Sequence, residues 1–249
     1  MENEKISVVI PCYNEGRSIY SNLTKIHAYL LSHFAQFEII AVNDGSKDET
    51  SAELERCTRD FPLTIINNPI NTGKGDAVKK GILASSPDST FVMFLDADLA
   101  IPIEETQKFI NVIHANDIDI AIASRFVPGL NVLEPILLHR RIMEFVFRFL
   151  RAIILHDWQV RDSQCGFKVF RRNAAMRIFT QTTVKRFAFD SEVIFLARKL
   201  NLHIKELPIT LCNPRKSHIN LFFDPINMFW ALFAIRWNHI KGLYNLSKK

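Results

Sequence analysis

The stretch FVMFLDADLA, residues 91–100, runs five apolar residues into two carboxylates, Asp96 and Asp98, set one residue apart. A continuous apolar run of this length, without polar alternation, is the pattern of a β-strand covered on both faces, as in a parallel sheet. Such a strand delivers its last residues to a fixed point on the sheet rim. Two acids placed there can reach one hard divalent cation or its bound waters.

Four other runs have the same character: residues 6–11, 37–43, 63–67 and 119–124. Helix-like segments lie between the runs, at about 16–33, 47–59, 74–85 and 102–115. Pro102 with Glu104 and Glu105 behind it predicts the N-terminus of the last of these. Strand–helix alternation predicts an α/β fold built on a doubly wound, mostly parallel sheet. Ligands of such sheets bind beyond the carboxyl ends of the strands, near the topological switch point. The runs end in PCYNE (11–15), NDGS (43–46), DAD (96–98) and SRF (124–126), so these polar clusters are expected to gather at one rim.

The chain has 249 residues, of which 48% are hydrophobic and 11% aromatic, enough for one large domain with a sizeable core. No repeat or low-complexity tract interrupts it. Cys12, Cys57, Cys165 and Cys212 form no C-x-x-C pair, which fits reduced thiols better than disulfides or zinc. The first eleven residues lack an apolar h-region, so no signal peptide is expected. No G-x-G-x-x-G follows the first strand, which argues against a dinucleotide-dependent oxidoreductase. The formal net charge is +5, and residues 213–249 carry that whole excess through Arg215, Lys216, Arg236, Lys241, Lys248 and Lys249 against Asp224 alone. A basic tail suits an anionic surface. Nucleic acid would leave the acidic strand-end cluster unexplained, so no nucleic-acid partner is expected.

The second half is richer in aromatic residues, with 14 of the 20 Phe from Phe126 onward. Residues 139–155 read as a helix whose charges Arg141, Glu144, Arg148 and Arg151 form one stripe, at spacings of three, four and three. The rest of that helix is almost wholly apolar. Residues 220–244 form a second such segment, and their longest uninterrupted apolar run is 228–235. Spanning a bilayer takes roughly 20 apolar residues. Trp, Phe and flanking Arg or Lys instead suit helices lying in a membrane interface. A buried hairpin or a dimer face is the alternative, which makes a second copy of the chain a candidate partner.

PCYNE, VNDGSKDET, NTGKGDAV, DADLA, SRF, RDSQCGFKVF and FAFDSE, in that order, resemble the inverting glycosyltransferases of family 2, which have the GT-A fold. Within that family the chain is most similar to the polyprenyl-phosphate transferases, and among these to the dolichyl-phosphate β-glucosyltransferases. RDSQCGFKVF followed by FAFDSE carries this closer likeness, and the resemblance covers roughly residues 5–220.

The resemblance implies a nucleotide-sugar donor and a divalent metal, Mg²⁺ or Mn²⁺. Asp98 is then the more direct metal ligand, and Asp96 lies nearer the ribose and diphosphate. Pro11, Tyr13, Glu15, Asp44 and Ser46 would hold the nucleoside. Gly73 and Gly75 permit close backbone approach to a phosphate, and Lys74 places charge at a helix N-terminus. Arg125, Arg140, Arg141 and Ser217 would meet the acceptor phosphate, Arg by its bidentate fork. Asp190 and Glu192 stand where other members place a general base. A phosphate monoester, whose second pKa is about 6, can attack without one. For these two acids a structural or acceptor-orienting role is therefore favoured over base catalysis. Asp162 is read as support for the site wall and Cys165 as packing. Two positions depart from the family: Ala100 stands where some mannosyl members carry Gln, and Lys216–Ser217–His218 stands where Gly-Ser-Lys is frequent.

The expected organisation is a GT-A catalytic domain over residues 1–217, with an amphipathic acceptor-side helix at 138–157, and a basic, aromatic interfacial helix at 218–249. The expected reaction is inverting transfer of a hexose, glucose from UDP-glucose above others, to dolichyl or undecaprenyl phosphate. It would occur at the cytoplasmic face of a membrane, against an anionic surface. Two alternatives stay open. One is a family-2 enzyme using a carbohydrate acceptor, with Asp190 or Glu192 as base. The other is a non-catalytic donor-binding subunit of a membrane partner.

Overall fold

The computed structural model describes residues 4–129, 131–132, 138–212 and 223–246; for 131, 132, 138–142 and 223–225 the description is of backbone only. In its first half, strands β1 (Lys5–Cys12), β2 (Gln36–Asp44), β3 (Thr64–Asn68), β4 (Phe91–Leu95) and β5 (Ile120–Ser124) alternate with helices α1 (Ile19–His33), α2 (Thr50–Asp60), α3 (Lys74–Leu83) and α4 (Thr106–Ala115). Pro102 does not enter a helix. It is extended and precedes a 3₁₀ turn, Ile103–Glu105, that leads into α4.

The second half contains β6 (Asn131–Val132), α5 (Leu138–Leu155), β7 (Phe167–Arg171), α6 (Arg172–Phe179), α7 (Phe189–Lys199), β8 (Ile204–Pro208), β9 (Thr210–Leu211) and α8 (Phe223–Ile240). Among the described residues the main sheet has seven strands in the order β3-β2-β1-β4-β7-β5-β8. Strands β3, β2, β1 and β4 are parallel neighbours, and β5 is parallel to β8. The switch point falls between β1 and β4.

Strand β7 runs antiparallel between β4 and β5, with Leu95 opposite Phe167. This reversal carries residues 161–166, which precede β7, to the same rim as the DAD turn. No strand was expected there because Lys168 interrupts the apolar run FKVF, and a buried cation breaks hydrophobic periodicity.

Every residue of β4 is buried, and successive side chains serve opposite layers. Phe91, Met93 and Leu95 pack in the core covered by α1, α2 and α4. Val92 and Phe94 pack with α3, α6, α7 and α8 in the other. Both faces are filled, which explains the unbroken apolar pattern.

The amphipathic helices α5 and α8 lie against each other, and α8 also touches α7. Leu232 and Ile235 of α8, and Tyr244 beyond it, are buried in the second core, so the described C-terminal segment is docked on the α/β body. The outer faces remain open: Phe145, Val146 and Phe149 on α5, and Trp230 and Trp237 on α8, are exposed. No helix among the described residues is long and apolar enough to cross a membrane.

Candidate active site

Four hydrogen bonds hold the DAD turn, two from outside it and two within it. Asp96 N–H donates to Gly166 O at 3.0 Å and Leu99 N–H to Asp96 O at 3.2 Å. Asn22 of α1 donates to Ala97 O at 2.7 Å, and Ala100 N–H to Asp98 Oδ1 at 3.0 Å. Leu99 takes a left-handed φ of 52° to close the turn. Both carboxylates are partly exposed at the rim.

Lys74 opens α3 and pairs its Nζ with Asp96 Oδ1 at 2.5 Å. Burial pulls the Lys74 pKa down, but the carboxylates of Asp96, Asp190 and Asp98 outweigh it and hold the ammonium above its usual value. The turn in front of α3 is tight against the 183–189 segment. A Cβ on Gly73, which has φ +107°, would lie 2.6 Å from Lys185 O, and one on Gly75 would lie 2.5 Å from Phe189 Cβ.

Asp44 underlies this turn. Its Oδ1 accepts from Asn68 Nδ2, Thr72 N–H and Thr72 Oγ1, and its Oδ2 accepts from Gly73 N–H at 2.8 Å. Burial and these four donors make Asp44 the anchor of the 68–73 loop, where a direct nucleoside contact was expected. Ser46 is likewise a brace: its Oγ accepts from Asn14 N–H at 3.0 Å, and Asn14 Oδ1 accepts from Lys47 N–H. The PCYNE and NDGS loops are thereby stapled together, with half-buried Pro11, Tyr13 and Glu15 along the seam.

Arg125, expected at the acceptor phosphate, is likewise engaged by protein groups. Its Nε and Nη2 donate to the two oxygens of Asp162 at 2.8 and 3.0 Å, and its Nη1 donates to Glu144 of α5. Burial opposes this cation, and Asp162 and Glu144 offset it. A guanidinium held by two carboxylates is a clamp between α5 and the rim, with its Nε–Nη2 edge taken by Asp162. Arg140 and Arg141 lie in the first turn of α5, but their side chains are outside the described residues, as is Ser217.

Behind the rim, Lys168 of β7 is fully buried, donates to Cys165 O at 2.7 Å and pairs with Asp190. Burial pushes the Asp190 carboxyl up in pKa, opposed by Lys168 and Lys74. Glu192, also fully buried, accepts from Thr183 N–H, Thr183 Oγ1, Val184 N–H and the Tyr244 hydroxyl. It fixes the loop that walls Gly73–Gly75, its oxygens engaged by these four donors. Burial raises the Cys165 thiol pKa, in keeping with a packing role.

A profile of glycosyl transferase family 2 matches residues 7–179, from β1 through α6. The chain belongs to glycosyltransferase family 2. It is 32% identical to the dolichyl-phosphate β-glucosyltransferase of Saccharomyces cerevisiae, over 98% of this chain and 78% of that protein. It is 29% identical to the enzyme of the same name from Dictyostelium discoideum, over 99% and 78%. In architecture it is similar to glucosyl-3-phosphoglycerate synthase of Mycobacterium tuberculosis, solved with Mn²⁺, UDP and glucosyl-3-phosphoglycerate. The TM-score is 0.67 at 18% identity, covering 99% of this chain and 82% of that one.

This family-2 chain has a rim suited to a divalent cation, though not a complete protein cage. Among the described residues no three His, Cys, Asp or Glu side chains cluster closely enough to hold one. Mg²⁺ characteristically takes one or two carboxylates plus substrate phosphates. Asp98, with Asp96 beside it, fits that donor set. Sequence reasoning missed Gly166 and Lys168 as contributors. Gly166 belongs to a motif quoted only as a family marker, and the charge of Lys168 concealed a strand.

Proposed function

We propose that this transferase moves glucose from UDP-glucose to a polyprenyl phosphate with inversion at the anomeric carbon. Support comes from the near-full-length relatives, which are named for that reaction, and from the state of the two acids in FAFDSE. Asp190 is buried against Lys168, and Glu192 is enclosed by the 183–184 loop and Tyr244. A sugar hydroxyl would need a base to remove its proton, whereas a phosphate dianion needs none.

In the proposed reaction a phosphate oxygen of the acceptor forms a bond to the anomeric carbon as the bond to the UDP oxygen breaks. The electron pair leaves with UDP, and no proton moves. Lys74, at the N-terminus of α3, supplies positive charge for the donor diphosphate. Asp98 and Asp96 would hold Mg²⁺ or Mn²⁺, which when bound contributes Lewis-acid stabilisation of the leaving diphosphate. Pro11, Tyr13 and Glu15 line the side assigned to the nucleoside. Arg140, Arg141 and Ser217 remain the acceptor-side candidates.

The open apolar faces of α5 and α8 support peripheral attachment at a membrane interface, on the cytoplasmic side where the donor is found. The decisive experiment incubates the protein with polyprenyl phosphate, Mg²⁺ and a panel of nucleotide sugars, and identifies the lipid product by mass. A glucosylated lipid formed only from UDP-glucose is expected. Transfer to a soluble sugar in the absence of lipid phosphate would overturn the proposal.

A further inference from the structure

Three guanidinium groups converge on Phe126, the residue that follows the Arg125 clamp. Arg125 lies 5.6 Å from the ring centroid and Arg148 of α5 lies 4.6 Å from it. Arg161 reaches in from the β7 side, donating from Nη1 to Phe126 O at 3.3 Å. Among the described residues only Arg125 of the three has an ion-pair partner. Among the described residues neither Arg148 nor Arg161 has a carboxylate within ion-pair distance of its guanidinium, whereas Arg125 and Arg151 do; Arg161 meets the Glu206 carboxylate through its backbone N–H alone, at 2.8 Å.

Arg148 also lies over the ring of Phe145, 5.6 Å from its centroid. Cation–π contacts orient a guanidinium through its face and leave its in-plane N–H donors available. Phe145, Val146 and Phe149, which surround Arg148 on α5, are all exposed. A cation without an ion-pair partner among the described residues, beside exposed apolar side chains, matches the chemistry of the boundary where acyl chains meet phosphates.

We propose that Arg148 and Arg161, gathered on Phe126, form a clamp for the phosphates of anionic bilayer lipids. The clamp rests on the membrane reading above. It deepens that reading by fixing which edge of the molecule faces the headgroups: the edge carrying the Ser124–Phe126 turn, and therefore the active-site rim. Arg125 then has a separate task, joining α5 to Asp162, while its two neighbours meet the lipid.

The test is vesicle flotation of the full chain with phosphatidylcholine alone and with phosphatidylcholine containing phosphatidylglycerol. It compares wild type, Arg148→Gln, Arg161→Gln and the double variant, with Arg148→Lys keeping the charge. Near-surface basic residues contribute about 1 kcal/mol each, which is roughly a five-fold change in affinity. Each single variant is expected to lose about five-fold in affinity for the anionic vesicles. The double variant should lose on the order of twenty-fold and show a shallower salt dependence. Arg148→Lys should bind close to wild type, and binding to neutral vesicles should change little.

Acceptor KM in detergent micelles is measured in parallel and should stay near wild type. Undiminished anionic-vesicle binding by the double variant would overturn the clamp. So would a raised micellar acceptor KM with unchanged flotation, which would assign the pair to the acceptor's own phosphate. Failure of wild type to float at all would remove the membrane reading itself, a different result from loss in the variants alone.

Discussion

Gly166 stands where only a hydrogen fits against Asp96. A Cβ at this position would lie 2.0 Å from Asp96 Oδ2 and 2.4 Å from its Cγ, while the Gly166 carbonyl accepts the Asp96 N–H at 3.0 Å. The glycine thus sets the direction of the first carboxylate of the DAD turn. Gly166→Ala is expected to push the Asp96 side chain aside and reduce transfer at least about 100-fold, in line with the cost of small misplacements at reacting centres. Melting temperature should fall by only a few degrees. Steady-state kinetics beside a thermal melt checks this, and near-normal kcat would contradict it.

Asp98→Ala should remove nearly all transfer while leaving thermal stability close to wild type, because its carboxylate is at the rim rather than in either core. Lys74→Ala should weaken donor binding more than acceptor binding, since its Nζ sits at the α3 N-terminus against Asp96. Separate KM values for the two substrates decide the point. Full activity of the wild type in EDTA would sink the metal assignment.

UDP should raise the melting temperature, and more so with Mg²⁺ or Mn²⁺, because a ligand that binds only the folded state stabilises it by mass action. Differential scanning fluorimetry with UDP, GDP and each metal measures this. A larger shift with GDP than with UDP would move the donor assignment to a guanosine nucleotide.

Acid should release the Arg125 clamp. Burial tends to raise the Asp162 pKa, but the adjoining Arg125 guanidinium outweighs it and leaves the carboxyl below its ordinary value. The folded-state pKa therefore lies below the unfolded one. The resulting stability is complete above the unfolded value near 3.9 and is lost as pH falls through the folded value. Asp162→Asn should cost about 3 kcal/mol at neutral pH, the order expected for removing one partner of a buried pair. The gap to wild type should narrow as denaturation is measured below about pH 4. A gap independent of pH would show that the pair does not act this way.

Tyr244→Phe tests how the C-terminal segment is tied to the donor side. The hydroxyl donates to Glu192 Oε1 at 2.7 Å, and the same carboxylate fixes the 183–184 loop, whose next residue, Lys185, accepts from Asp76 N–H at 3.0 Å. Loss of one charge-assisted hydrogen bond should cost about 1.5–3 kcal/mol in urea denaturation. Donor KM is expected to rise several-fold as the wall of the Gly73 turn loosens, with acceptor KM nearly unchanged. No change in either measurement would mean that the Glu192 cluster is not coupled to the turn.

The apolar pattern of β1 through β5, the polar clusters at their ends and the ordered motifs were sufficient to place the α/β fold, the family and the rim on which Asp96 and Asp98 stand. Local chemistry dictates those features: a strand buried on both faces must be apolar throughout, and the next residues must emerge at its end. What each rim residue touches was decided only by tertiary structure. Asp44 and Ser46 carried the right residue type for ligand contact, yet they brace loops, because donors from distant segments fill their oxygens. Arg125 became a clamp because β7 runs antiparallel and brings Asp162 beside it, and because the packing of α5 brings Glu144. Strand β7 itself was hidden by Lys168, whose charge is neutralised by Asp190, 22 residues further along the chain. Periodicity reports burial along one segment, but the partner that makes a buried charge tolerable comes from another, and only folding brings the two together.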